Sequence, residues 1–95
     1  AAESYRQPVI IFKHSTRCAL SSMVKSRLER SEQPSGTVFF LLDVIRYRDI
    51  SNQVAATWQV DHASPQLLVI RNGACILHKS HYAIHMEAVA TQLNA

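Results

Sequence analysis

Cys18-Ala19-Leu20-Ser21 sets a thiol and a hydroxyl three positions apart, where an apolar run gives way to a helical pattern. CxxS is the one-thiol counterpart of the CxxC redox motif. A thiolate at Cys18 can attack a disulfide sulfur, and with serine in the fourth position the resulting mixed disulfide must be released by a thiol from another molecule. Ser21 falls on the same helical face as Cys18, so its hydroxyl is placed to donate a hydrogen bond to the thiolate. The same spacing also fits a buried cysteine that happens to precede a helix, because free cysteine is among the most buried residue types.

The elements that must position this thiol can be read outward from it. Val9 to Phe12 is a continuous apolar run behind Pro8, which predicts a strand buried on both faces. Leu20, Met23, Val24 and Leu28 recur at helical spacing and predict a helix from about Cys18 to Arg30. Cys18 then lies in its first turn, where free N–H groups and the positive end of the helix dipole favour a thiolate. The polar segment Ser31 to Gly36 ends that helix, and residues 37–44, TVFFLLDV, predict a second buried strand. A helix between two strands implies a parallel pair with a right-handed crossover.

Ile50, Val54 and Trp58 fall four apart and predict a short second helix capped by Asp49 or Ser51. Residues 66–71 and 74–79 are strand-like around Asn72-Gly73, a hairpin signal that makes them antiparallel neighbours. Ile84, Ala88, Val89 and Leu93 predict a closing helix over 84–93. The order β-α-β-α-β-β-α is the minimal thioredoxin or glutaredoxin arrangement: an α/β fold with a four-stranded mixed sheet of order 2-1-3-4 and helices on both faces. No repeat or linker interrupts it, so residues 1–95 are read as one domain, with 1–6 as a flexible N-terminal segment.

In that arrangement Ser64-Pro65-Gln66 brings a proline into the third strand opposite the cysteine, where the fold places a cis-proline that exposes the preceding backbone to a bound thiol or peptide. An ordinary trans proline at a strand start is the competing reading. His14, Thr16 and Arg17 precede Cys18 and His62 precedes Pro65, so these side chains can tune the thiolate or contact a substrate; loop histidines also bond backbone. His78, His81 and His85 form HxxHxxxH, a weak metal signal because the three would span a strand end, a turn and a helix. No metal ligand set is assigned. Cys75 reads as a small hydrophobe on the sheet. With the third strand between their strands, Cys18 and Cys75 sit two spacings, roughly 9 to 10 Å, apart, too far for a disulfide.

The string Phe12-Lys13-His14-Ser15-Thr16-Arg17-Cys18 with Ser21, followed by Asp43-Val44, Ser51-Asn52, His62-Ala63-Ser64-Pro65-Gln66, Arg71-Asn72-Gly73 and His78-Lys79-Ser80-His81, resembles the monothiol bacilliredoxins, the YtxJ-like family of the bacillithiol system. The likeness runs from Pro8 to Ile84. It implies a thioredoxin-like fold, a bacterial cytosol with bacillithiol as the low-molecular-weight thiol co-substrate, no tightly bound cofactor, and an enzyme that removes bacillithiol from mixed disulfides on client proteins. An external thiol or a reductase would regenerate it. By the same resemblance Cys18 is the active cysteine, Pro65 the cis-proline, and His78 and His81 part of a structural corner. Ala19 departs from the proline or glycine expected there, which bears on thiol reactivity at most.

Composition narrows the alternatives. Ten Lys and Arg against seven Asp and Glu leave a charge of +3, with no basic run, which argues against nucleic-acid binding and suits a small anionic ligand near Arg17 or Lys13. The apolar runs fall far short of the eighteen or so residues of a membrane helix, and no signal-peptide pattern opens the chain. A soluble cytoplasmic monomer is expected. Two readings compete with thiol–disulfide exchange: a binding module on the same fold whose cysteine is silent or joins histidines on a metal, and an iron–sulfur carrier like the monothiol glutaredoxins, which CALS fits poorly for want of the Gly-Phe of CGFS.

Overall fold

A computed structural model describes residues 2–95; Ala1, part of the expected flexible segment, lies outside the described residues. The strands are β1 (Val9–His14), β2 (Val38–Asp43), β3 (Gln66–Arg71) and β4 (Ala74–Ser80), and the helices α1 (Ala19–Glu29), α2 (Arg48–Trp58) and α3 (Met86–Leu93). They build one sheet of order β2-β1-β3-β4, with β1 parallel to β2 and antiparallel to β3, and β3 antiparallel to β4. The order and pairing are those the sequence predicts.

β1 and β3 are continuous apolar runs because each is paired on both edges and covered on both faces. Alternation along β1 sends Ile10 and Phe12 into a core with Val24 and Leu28 of α1 and Met86 and Val89 of α3. Val9 goes to the other face, where Leu68 and Ile70 meet Val54 of α2. Asn72 and Gly73 both adopt positive φ, 52° and 78°, the geometry a two-residue hairpin between β3 and β4 requires.

Several expectations are corrected. The second strand is not buried: β2 is an edge strand whose Phe40 and Leu41 are each about half exposed, since only β1 pairs with it. On α1 the inward stripe is Ser21, Val24 and Leu28, while Met23 is exposed. Neither Asp49 nor Ser51 caps α2; Tyr47 holds the cap position, Ser51 is buried inside the helix and Ile50 is exposed. The preceding turn is secured instead by Asp43, whose Oδ1 accepts from the N–H groups of Ile45 and Arg46 at 3.0 and 3.1 Å. The closing helix begins two residues late, at Met86, because Ile84 is buried in an extended link after a 3-10 turn over His81–Ala83.

The N-terminal segment is anchored. Residues Ala2–Tyr5 form a 3-10 helix, and Ser4 binds the hairpin through its carbonyl to the Asn72 N–H (2.9 Å) and its hydroxyl to the Gly73 N–H (2.9 Å). Gly73 also accepts from the Trp58 indole at 3.0 Å, so the β3–β4 turn ties together both the N-terminus and the end of α2.

Candidate functional site

β1 ends at His14, and the chain turns through Ser15–Cys18, closed by the Cys18 N–H on the Ser15 carbonyl at 3.2 Å. The Ser15 hydroxyl supports this turn from the Arg17 N–H at 3.4 Å. Cys18 holds the N-cap of α1 in extended geometry (φ −113°, ψ 117°), and its carbonyl takes the first helical bond, from Ser22 N–H at 3.1 Å. No side-chain oxygen caps this helix, so a half-buried thiol stands where a cap acceptor would face the first-turn N–H groups. Thr16 and Arg17 are exposed beside it.

Ser21 does not serve the thiol. It is fully buried, and its Oγ accepts from the Ser15 N–H at 3.0 Å and lies 2.7 Å from His14 Nδ1. The hydroxyl expected to donate to Cys18 therefore fastens the turn to the end of β1. His14 is not a loop residue either: it is buried at the strand end, stacked on Phe12 at 5.9 Å. Burial holds its imidazole below the ordinary histidine range, reinforced by the Lys25 charge and partly opposed by Asp43 and Glu29.

Ser64-Pro65 is cis, as the sequence position predicts, and buried Pro65 enters β3 at the end of the sheet where β1 delivers the cysteine turn, Lys13 pairing with Gln66. The Pro65 carbonyl accepts from the His81 N–H at 3.1 Å, which ties the proline loop to the corner after β4. Arg27 of α1 donates to the carbonyls of Ile84 and Tyr82 and straps the helix to that corner.

Sequence reasoning missed the role of Lys13. Rather than meeting an anion at the surface, this lysine is fully buried beneath α2, its ammonium donating to the Ser51 carbonyl at 3.1 Å and lying 3.4 Å from His62 Nδ1. Burial lowers its pKa. The signal was available: Lys13 alternates with Val9 and Ile11 on an inward face, and a lysine there must find acceptors. His62 itself is exposed, with Ser51 Oγ a second neighbour of Nδ1 at 3.3 Å. Burial, then Lys13 and Arg48, hold this imidazole neutral to lower pH than usual. A lysine ammonium can only donate, so Nδ1 accepts and the neutral ring carries its proton on Nε2.

Cys75 is half-buried in β4, its thiol donating to the Leu77 carbonyl at 3.3 Å, and burial pushes that thiol up. His78 lies in β4, His81 opens the 3-10 turn and His85 holds the N-cap position of α3 without a side-chain cap bond; among the described residues no three His, Cys, Asp or Glu side chains gather as a metal site. No helix among the described residues is long and apolar enough to cross a membrane.

The four-stranded sheet of order β2-β1-β3-β4 with its flanking helices is a fold shared with solved structures. The chain is similar to a candidate oxidoreductase with a thioredoxin fold (26% identity, TM-score 0.77, covering 92% of this chain and 78% of that one). It shares the fold of Fasciola hepatica thioredoxin (14% identity, TM-score 0.74, 98% and 85% covered) and of Malassezia sympodialis thioredoxin, Mala s 13 (18% identity, TM-score 0.70, 96% and 76% covered). The family model described as monothiol bacilliredoxin BrxC matches residues 1–89. With that match over nearly its whole length, the chain belongs to the monothiol bacilliredoxins and is a thiol oxidoreductase of thioredoxin fold.

Proposed function

We propose that the protein removes bacillithiol from mixed disulfides on client proteins, with Cys18 as its one working thiol. The Cys18 thiolate attacks the bacillithiol sulfur; a Cys18–bacillithiol disulfide forms, the client–bacillithiol disulfide breaks, and the client sulfur leaves as a thiolate that takes a proton from solvent. An external thiol then attacks the adduct and restores Cys18. The observation that carries this reading is the half-buried Cys18 at an uncapped helix start, with the hydroxyl of its CxxS partner committed elsewhere.

In this reading exposed Thr16 and Arg17 form the rim that meets the acidic group of bacillithiol, and the backbone at Ser64-Pro65 docks the segment bearing the disulfide. His62 contributes an Nε2–H donor, while His14 and Ser21 hold the turn. Clients meet the protein in the bacterial cytosol, and it works as a monomer.

Mass spectrometry of the protein treated with bacillithiol disulfide tests the proposal, together with gel release of a bacillithiolated client. One adduct on the Cys18 peptide and release of the client are expected. A protein that takes the adduct on neither cysteine, or leaves the client modified, overturns it.

A further inference from the structure

Beside the proline loop a cleft of about 410 Å³ opens between residues 59–63, the end of β4 and the corner at His81. Its floor is Gln66, only 2% exposed. The Gln66 amide nitrogen donates to the Asp61 carbonyl at 2.9 Å and reaches Ser80 Oγ at 3.5 Å, which fixes the orientation of the amide, since a flipped group would set two oxygens against each other. The opposite atom, Oε1, is buried without a hydrogen-bond partner. A buried acceptor left in this state is costly, and a group bearing O–H or N–H satisfies it once a small shift of the Gln66 side chain opens Oε1 to the cleft.

The wall supplies the complementary half. His62 has Nδ1 engaged by Lys13 and Ser51, which leaves Nε2–H as its one free donor. An unpaired acceptor on the floor and a donor on the wall match a group that both gives and takes hydrogen bonds, such as the hydroxyls of a sugar ring. His78 and His81 line the same cleft. A metal suits the cleft less well, because His62, His78 and His81 do not converge as ligands among the described residues. The cleft also opens at the correct end of the sheet: Gln66 pairs with Lys13 near the cysteine turn, and His81 holds the Pro65 carbonyl.

We propose that this cleft, floored by Gln66 and walled by His62 and His78, is the subsite for the sugar ring of a low-molecular-weight thiol whose sulfur reaches Cys18. The inference rests on the de-bacillithiolation reading and adds to it the residues that select a sugar-bearing thiol over plain cysteine.

Rates of Cys18 adduct formation with bacillithiol disulfide and with cystine test it, for wild type and Gln66→Met. The ratio of the two rates should fall roughly three- to tenfold in Gln66→Met, the loss of one neutral hydrogen bond. In Cys18→Ser protein, reduced bacillithiol should shift the ring resonances of His62 and His78 while free cysteine leaves them in place. This titration needs no chemistry and decides the matter if Gln66→Met folds poorly. An unchanged ratio, or rings unmoved by bacillithiol, overturns the subsite even where wild-type Cys18 reacts; a wild type that does not react overturns the functional reading, and the titration still decides the subsite. A peptide disulfide slowed by Gln66→Met where bacillithiol disulfide is not would assign the cleft to client backbone and overturn the sugar assignment.

Discussion

Cys75 lies opposite Ile70, which lies opposite Val9 at the start of β1, whereas Cys18 follows the end of that strand. The two thiols are thus separated across the sheet and also along it. Two strand spacings of about 4.8 Å and five residues of about 3.3 Å put the start and end positions roughly 19 Å apart before the turn is counted. Bridged cysteines seldom exceed about 6.8 Å between Cα atoms. Lateral separation alone, as read from the sequence, understated the gap, because it left out that Cys75 opens β4 at the end of the sheet remote from Cys18.

The consequence is testable by peptide mapping under oxidising conditions. No Cys18–Cys75 pair should be found in folded protein, Cys75→Ser should keep thiol–disulfide exchange, and Cys18→Ser should abolish it. A linked pair would make Cys75 a resolving thiol.

Lys13 leads to a second expectation. Its side chain is fully buried, and its ammonium has two acceptors, the Ser51 carbonyl and His62 Nδ1. Arginine is bulkier, brings five donors and cannot lose its charge, so Lys13→Arg should overpack the site and cost about 1 to 3 kcal/mol. Lys13→Met keeps the volume and removes a buried charge, and Ser51 Oγ still reaches His62. Chemical denaturation should therefore rank Lys13→Arg below Lys13→Met, reversing the order that charge conservation suggests. An arginine variant as stable as wild type would refute this.

How far the sequence reached depended on how local each signal was. Asn72-Gly73, Pro65 and the passage from Phe12 to Cys18 announce a hairpin, a strand start and a strand-to-helix turn within a few residues, and the structure has all three. Met23 and Ser21 went wrong together. Both lie within the helical arc that periodicity allows, and what decides between them is the polar end of β1, where Ser15 and His14 want a hydroxyl and not a thioether. Phe40 and Leu41 read as buried because their composition matches that of β1; their exposure follows from β2 having one partner, which composition does not encode. Lys13 was visible as an inward lysine, but its acceptors come from α2 and the proline loop, 38 and 49 residues away.

Two histidines should make the fold sensitive to acid. Burial lowers the pKa of His14, with Lys25 adding to it, and burial also lowers that of His62, with Lys13 and Arg48 adding. The unfolded chain, with histidines near about 6.5, then binds more protons than the folded one in the interval below that value. Through these two groups stability should be level above about pH 6.5, fall as the pH drops below it, and level off beneath the lowered folded-state values. Urea midpoints at about pH 7.5, 6 and 5 should show the decline, and His14→Gln should reduce it. A midpoint that rises with acidification in this range would contradict the burial of neutral His14.

The last expectation concerns Ser21, whose hydroxyl serves the turn and not the sulfur. Ser21→Ala strands the Ser15 N–H and His14 Nδ1 at a largely buried site, at a cost of about 1 to 3 kcal/mol. Because the Ser15 N–H has this one acceptor, its amide exchange should accelerate by about tenfold more than amides in the middle of β1, which respond only to global stability. A double-mutant cycle with His14→Phe should return a coupling of about 0.5 to 1.5 kcal/mol, the value for groups in direct contact. If Ser21→Ala leaves stability and Ser15 exchange unchanged, the hydroxyl does not hold the turn, and the assignment of Ser21 to the thiolate returns.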